Sequence, residues 1–380
     1  MFLRPRGRGR VSGAAMISRL LLVYSIVRKR FGFYFRPLFV FVLLAVYRLF
    51  IGLCLLLDPI FFPALAKKEV KAPIFIVGNP RSGTTFLHRW MVDHQMGAGF
   101  QLWEMLFPSL TARVLVRPFL KPLEALSPAR FHKNKAHETS LTSVETDDVA
   151  VLFRFLDGPF LYGYFLAWDD VDHANAFDPE GEYGRTAQRD LDWLRELFRR
   201  NMVWHGRDRV VAKLFSAALR PAQLLNAFPD GKILYMVRDP VSTIPSGMSL
   251  VCGVLEGALH MSRLPVEVQR RYQQRLSFAL EELYRRFHTA WTTGKLDKDR
   301  VYMVRYDRLM SEFDVVMKEI VDFLGDQPDA TFWAEVKKTA ESQRGRKSEH
   351  VYALDTYGLS KEKIQQDLGF VYDAYGVPRS

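Results

Sequence analysis

Cysteine is almost missing from this chain: Cys54 and Cys252 are the only two in 380 residues. That excludes a disulfide scaffold and a cysteine-based zinc site. Acidic residues are nearly missing from the first 71 positions, which hold 2 Asp/Glu against 13 Lys/Arg. Residues 72–380 hold 40 of each sign, so the whole net charge of +11 lies at the N-terminal end. A globally basic, nucleic-acid-binding surface is therefore disfavoured, and no nucleic-acid partner is expected. Residues 72–380 also lack an N-x-S/T glycosylation sequon, and the chain lacks internal repeats and low-complexity tracts. What is present is globular in kind, with 48% hydrophobic and 25% charged residues, which rules out disorder and collagen-like repeats.

The one long apolar run is Leu38 to Leu57, twenty residues interrupted only by Arg48. Twenty residues is about the length of helix that crosses a bilayer core. A central arginine costs roughly 2.5–3.5 kcal/mol on insertion scales. A helix lying in the interface with Arg48 snorkelling is the competing picture. Nine Lys/Arg and no acid precede the run, which favours attachment to membrane lipid over a buried core helix. Asp58-Pro59 and Pro63 are expected to stop the helix. Residues 1–71 then form a basic, membrane-associated region with a short linker, and 72–380 form the second domain. On sidedness, the positive-inside rule puts the N-terminus in the cytoplasm. The missing sequons and the single cysteine of 72–380 favour the domain on the cytoplasmic face, with the Golgi lumen or another non-cytoplasmic side as the alternative.

Four short runs rich in Val, Ile and Tyr read as strands: residues 73–78, 209–213, 232–238 and 301–305. Helical stretches follow each, near 83–94, after Pro221, after Pro240 and over 309–324. Strands alternating with helices predict an α/β fold, a parallel sheet of P-loop nucleotide-binding type covered on both faces. The mostly helical stretch 100–205 is expected to cap the carboxyl edge, where ligands bind in such folds.

The first strand runs into Gly78-Asn79-Pro80-Arg81-Ser82-Gly83-Thr84-Thr85. A loop between strand and helix wraps a phosphate in backbone N–H groups, aided by the helix dipole. Its G-x-x-x-x-G spacing matches a nucleoside-triphosphate loop, but Thr84 stands where that loop has lysine. A P-loop kinase or nucleotidase is thereby disfavoured, and Arg81 is left as the loop's cation. The third strand ends in Arg238-Asp239-Pro240, and Ser246 lies on the next helix. An arginine fork and a hydroxyl there make a second anion site. Two anion sites on one edge point to a ligand with phosphates at both ends.

These two segments, PRSGTT after a strand and R-x-P-x-x-x-x-x-S after a later one, resemble the sulfotransferase family, in particular its branch with tyrosylprotein and carbohydrate sulfotransferases. The resemblance implies 3′-phosphoadenosine 5′-phosphosulfate (PAPS) as donor and sulfuryl transfer to a hydroxyl or amine, without a metal. It implies that Arg81, Ser82, Gly83, Thr84 and Thr85 hold the 5′ end. Arg238 and Ser246 would hold the 3′-phosphate. Tyr306-Asp307-Arg308-Leu309 looks like a family segment near the nucleotide, which implicates Tyr306. A non-catalytic protein that keeps the fold for binding is the remaining rival.

Sulfuryl transfer needs a base for the acceptor proton and cations for developing charge. The candidate bases are Glu104, His132, His137, Glu138, Glu145, Asp147 and Asp148. Similar enzymes carry a glutamate near the distance of Glu104 from the loop, so Glu104 is the expected base and His137 the second choice. Lys213 ends the second strand and, with Arg81, is expected to stabilise transition-state charge. The stretch 344–352 is basic and lacks the R-K-G-x-x-G-D-W pattern of cytosolic enzymes. Arg346 and Lys347 are there either nucleotide contacts or solvated charges. The aromatic stretch 153–168 either lines an acceptor pocket or packs a core. The acceptor itself is not legible, although a membrane anchor and an aromatic cap favour a lipid or glycan hydroxyl.

Overall fold

The computed structural model describes residues 13–126, 140–145, 149–344 and 354–379. His132, His137, Glu138, Asp147, Asp148, Arg346 and Lys347 lie outside the described residues.

Four parallel strands form the sheet: β1 (Ile74–Gly78), β2 (Val211–Lys213), β3 (Lys232–Val237) and β4 (Val301–Arg305), in the order β2-β1-β3-β4. β1 is buried throughout, as expected of a strand covered on both faces. Its residues alternate between two cores. Phe75 and Val77 join Ile233, Tyr235 and Val237 in one, packed with residues of helices Ala187–His205, Pro240–Leu259 and Val266–Thr292. Ile74 and Ile76 join Leu234, Met236 and Val304 in the other, beneath α3 (Thr84–Asp93) and the helix Phe313–Leu324. The expected helix over 309–324 is two helices, Tyr306–Ser311 and Phe313–Leu324, because Glu312 leaves helical geometry at φ −130°, ψ 44°.

The register decides what meets at the carboxyl edge. Ile76 pairs with Lys213, Gly78 with Met236 and Val237 with Arg305. The loop after β1, the last residue of β2 and the turn after β3 therefore emerge side by side. Beyond β2, Ala98 bridges Val210, and Gln101 bridges Val144. This irregular pairing brings residues 140–145 to the same edge. Between these segments lie the short helices α4 (Leu102–Leu106) and α5 (Leu110–Val116).

The N-terminal segment forms two helices, α1 (Gly13–Phe31) and α2 (Phe35–Phe61). α1 packs Val23, Ile26 and Val27 into the larger core, at the i, i+3, i+4 spacing of a helix face. α2 continues through Pro59, beyond the expected stop at 58. Phe62 N–H donates to the Asp58 carbonyl at 2.8 Å, so the helix closes only after the proline has passed through its last turn. Most of α2 is apolar and exposed: Phe35, Phe39, Val42, Val46, Leu49 and Leu56 face outward. Its inner side holds Ile51 and Cys54 against Ala112 of α5.

One acid clamps α2 to the body. The Asp58 carboxylate is fully buried and accepts from Ser109 Oγ at 2.7 Å, Thr111 N at 2.9 Å and Arg200 Nε at 2.8 Å. Hydrogen bonds and the Arg200 charge outweigh the burial that would favour the neutral acid, and they hold its pKa below the usual carboxylate range.

Candidate active site

The loop after β1 is built from unusual backbone. Arg81 has φ +74° and Gly83 has φ +91°, both left-handed. At Gly83 a side chain would also force Tyr306 to shift, since a Cβ would sit 2.7 Å from its Cδ2. The loop braces itself: Ser82 Oγ donates to the Asn79 carbonyl at 2.7 Å, and Asn79 Nδ2 donates to the Leu280 carbonyl at 2.8 Å. The hydroxyl of Ser82 thus holds the loop's shape. What the loop presents at its open end is the start of α3, with Thr84 buried and Thr85 partly exposed.

Three cations converge here. Lys213 Nζ donates to Thr85 Oγ1 at 2.9 Å, which places the lysine at the mouth of the loop. Arg81 Nε donates to Ser246 Oγ at 2.9 Å, and Arg238 Nη1 donates to the Arg81 carbonyl at 2.9 Å. The two expected anion sites are therefore one continuous rim. Arg238 also lies over the Tyr306 ring, 4.1 Å from its centroid, in a cation–π contact. Tyr284 O–H donates to the Arg238 carbonyl at 2.8 Å and steadies the turn. Arg81, Ser82, Gly83, Thr84, Thr85, Lys213, Arg238, Ser246 and Tyr306 are all brought together.

An open cleft of about 180 Å³ continues outward from Arg238, lined by Asp239, Ser242, Tyr306 and Arg379 among others. Asp239 caps the helix Pro240–Leu259, accepting from Val241 N, and also accepts from Tyr372 O–H at 2.6 Å. The C-terminal helix thereby docks on the turn, with Arg379 stacked on Tyr372. Ser242 and Arg379 escaped the sequence reading. Ser242 lies within R-D-P-V-S, where a hydroxyl was a readable signal. Arg379 had none, because only the fold brings the chain's end to this edge.

Glu104 is engaged in local contacts. It is 1% exposed and sits at the third position of α4, where its carboxylate accepts from Gln101 N at 2.9 Å in a capping box. Its other neighbour is His205 Nε2 at 3.0 Å. Among the described residues, the carboxylate beside the cations is Glu145. Its Oε2 is 4.0 Å from Lys213 Nζ, and Arg89 holds its Oε1. Glu145 N–H donates to the Phe100 carbonyl at 2.9 Å, which fixes it at this edge.

His88, one turn into α3, is fully buried, and its neutral ring donates Nε2–H to the Val211 carbonyl at 2.9 Å. Burial, with Lys213 nearby, lowers its pKa to about 3. It fastens the loop helix to β2 beneath the lysine. The aromatic stretch 153–168 is divided. Trp168 stacks on Tyr272 at 3.7 Å in the core, and Phe160 is only partly buried, 5.7 Å from Phe215, two residues beyond Lys213. Among the described residues there is no cluster of His, Cys, Asp and Glu suited to a metal ion.

A parallel four-stranded sheet with a cationic, glycine-bearing loop at its carboxyl edge is suited to holding an anionic ligand. A sulfotransferase family model matches residues 73–329, and the chain belongs to the sulfotransferase family. It is a transferase of sulfuryl groups. Relatives include proteins named omega-hydroxy-beta-dihydromenaquinone-9 sulfotransferase Stf3, of Mycobacterium bovis and Mycobacterium tuberculosis. Each is 23% identical over 313 residues, covering 81% of this chain and 76% of theirs. The fold is similar to that of sulfotransferase STF1 of M. tuberculosis, with TM-score 0.64, 19% identity, and 93% and 91% of the two chains covered. It is also similar to that of STF9 of Mycobacterium avium, with TM-score 0.62, 15% identity, and 84% and 81% covered.

Proposed function

We propose that the chain is a membrane-attached sulfotransferase that takes PAPS as donor and a hydroxyl of a membrane lipid as acceptor. The observation that carries the donor assignment is the single rim formed by Lys213, Thr85, Arg81, Ser246 and Arg238. It suits a ligand with anionic groups at two ends, and no carboxylate lies within the loop itself. The donor supplies the sulfuryl group and a phosphate leaving group. The start of α3, Thr85 and Lys213 receive the phosphosulfate end, where Lys213 and Arg81 balance the charge that grows on the leaving oxygen. Arg238, Ser242, Ser246 and Arg379 receive the 3′-phosphate end, and Tyr306 and Gly83 together shape the floor between. These cations do for the donor what a metal does in nucleotide kinases.

For the proton acceptor we favour Glu145, the carboxylate that lies beside Lys213 among the described residues, over Glu104, which the capping box and His205 occupy. The Stf3 relatives act, by name, on a hydroxylated menaquinone, a membrane lipid. A lipid acceptor also suits α2, whose exposed apolar face lies beside the exposed Val114 and Leu115 of α5. Because Asp58 fastens α2 to α5, the helix favours lying along the bilayer surface over crossing it. The test is transfer of ³⁵S from labelled PAPS to vesicle-borne prenyl or quinol alcohols. Label is expected in the lipid phase with the native chain, and at least about a hundredfold less with Lys213→Ala. Label passing only to water-soluble alcohols would remove the lipid assignment.

A further inference from the structure

Helix α3 begins at the phosphate loop, and its residues 85 and 89 lie one turn apart on the same face. Thr85 accepts from Lys213 Nζ at 2.9 Å. Arg89 Nη2 donates to Glu145 Oε1, and Arg89 Nε donates to the Val144 carbonyl at 3.0 Å. Between these two contacts, Lys213 Nζ and Glu145 Oε2 stand 4.0 Å apart. One helix face thus holds both ends of a charged array that runs from Thr85 through Lys213 and Glu145 to Arg89.

The Arg89 guanidinium works as a fork, with one arm on the side chain of Glu145 and the other on the backbone just before it. Attachment of the segment does not require that fork. Backbone bonds already tie residues 140–145 to residues 100–103. Glu145 N–H donates to the Phe100 carbonyl at 2.9 Å, Leu102 N–H to the Ser143 carbonyl at 3.1 Å and Trp103 N–H to the Leu141 carbonyl at 2.9 Å. An ion pair whose arginine is 40% exposed also adds little to folding. What the fork does fix is the rotation of the Glu145 carboxylate. With Oε1 on Arg89, Oε2 is turned to Lys213, at a distance too long for a hydrogen bond. Among the described residues no donor bonds to Oε2, so its lone pairs are left for an incoming hydroxyl.

We infer that Arg89 is a positioning residue for sulfuryl transfer, which aims Oε2 of Glu145 at the acceptor hydroxyl from the helix that holds the donor. The inference rests on the proposed role of Glu145 as proton acceptor. The hydroxyl proton passes to Oε2 as the acceptor oxygen bonds to sulfur, and the bond from sulfur to the phosphate oxygen breaks. The first turn of α3 then sets the donor and its second turn sets the base, so the two reactants share one rigid reference.

The test is the rate of ³⁵S transfer from labelled PAPS by the full chain. The acceptor is vesicle-borne farnesol or water-soluble 2-naphthol, whichever the native chain labels, so the test does not hang on the lipid assignment. Arg89→Gln should slow transfer about ten- to a hundredfold, the scale of a misplaced reacting group, with donor affinity within about twofold of native. Arg89→Lys should fall between the two, because an ammonium cannot hold both acceptors as the fork does. The deciding measurement is a double-mutant cycle. Added to Glu145→Gln, Arg89→Gln should slow transfer no more than about twofold further, since no base is left to aim. The melting temperature of Arg89→Gln should stay within about 3 °C of native. Losses that multiply in the double variant, or a loss of donor affinity as large as the loss of rate, would overturn the inference. Arg89 would then act on the fold or on the donor. A native rate in Arg89→Gln beside a crippled Glu145→Gln would also overturn it and leave Glu145 as the base. A native rate in Glu145→Gln would remove the base itself, and the inference with it.

Discussion

At the residue scale the decisive comparison is between two glutamates. Glu145 stands at the cationic edge, and Glu104 is spent on a capping box and on His205. Glu145→Gln is expected to cut turnover about 10²–10⁴-fold with donor affinity nearly intact, as for a general base. Glu104→Ala is expected to cost about 1–3 kcal/mol of folding stability and to leave kcat within about threefold. Steady-state kinetics and denaturant melts on both variants separate the roles. The reverse pattern would return the base to Glu104. His88 gives a prediction with a sign. Its folded pKa of about 3 lies below the ordinary value of 6.5, so between these the unfolded chain binds the extra proton. Stability therefore falls as pH drops below about 6.5, by up to about 1.4 kcal/mol per unit from this group. Denaturant midpoints from pH 7 to pH 5 should show a shallower slope in His88→Met. An unchanged slope would show that His88 is not the group responsible.

At the element scale, one buried acid helps to join α2 to the body, beside Tyr47 O–H on the Leu106 carbonyl and the apolar contacts of Ile51 and Cys54. Asp58→Asn removes the buried one of the two acids paired with Arg200 and is expected to cost about 3–5 kcal/mol, the scale for breaking one side of a buried pair. Urea unfolding measures it, and a loss below about 1 kcal/mol would mean that α2 is held mainly by its apolar contacts. The strands and the phosphate loop were legible because local pattern carried them: buried Ile and Val runs, then a glycine-bearing turn into a helix. The attachment of α1 and α2 was not. Hydropathy marked an apolar run, but a single Asp at its end had no visible partner until Ser109, Thr111 and Arg200 came together from 51, 53 and 142 residues away. Pro59 misled for a related reason. A proline near a helix end removes a hydrogen bond that the last turn can do without. Glu145 was one of seven candidates by sequence. Its position comes from an irregular pairing of residues 144 and 101, which no period announces.

At the scale of the whole molecule, one sheet edge collects segments from residue 78 to residue 379. The loop after β1, Lys213 from β2, Arg238 and Ser246 after β3, Tyr306 after β4 and Arg379 near the chain's end share it. The parallel register explains why: each strand delivers its successor to the same side. This edge is proposed to read a 3′-phosphate as well as a 5′ end. The most direct measurement is calorimetric binding of 3′-phosphoadenosine 5′-phosphate against ADP, with the native chain and with Arg238→Ala. The native chain should bind the 3′-phosphorylated nucleotide at least about tenfold more tightly. Arg238→Ala should lose about ten- to a hundredfold of that affinity, the worth of a charge-assisted hydrogen bond, and little of its affinity for ADP. Equal affinity of the native chain for the two nucleotides would contradict the account.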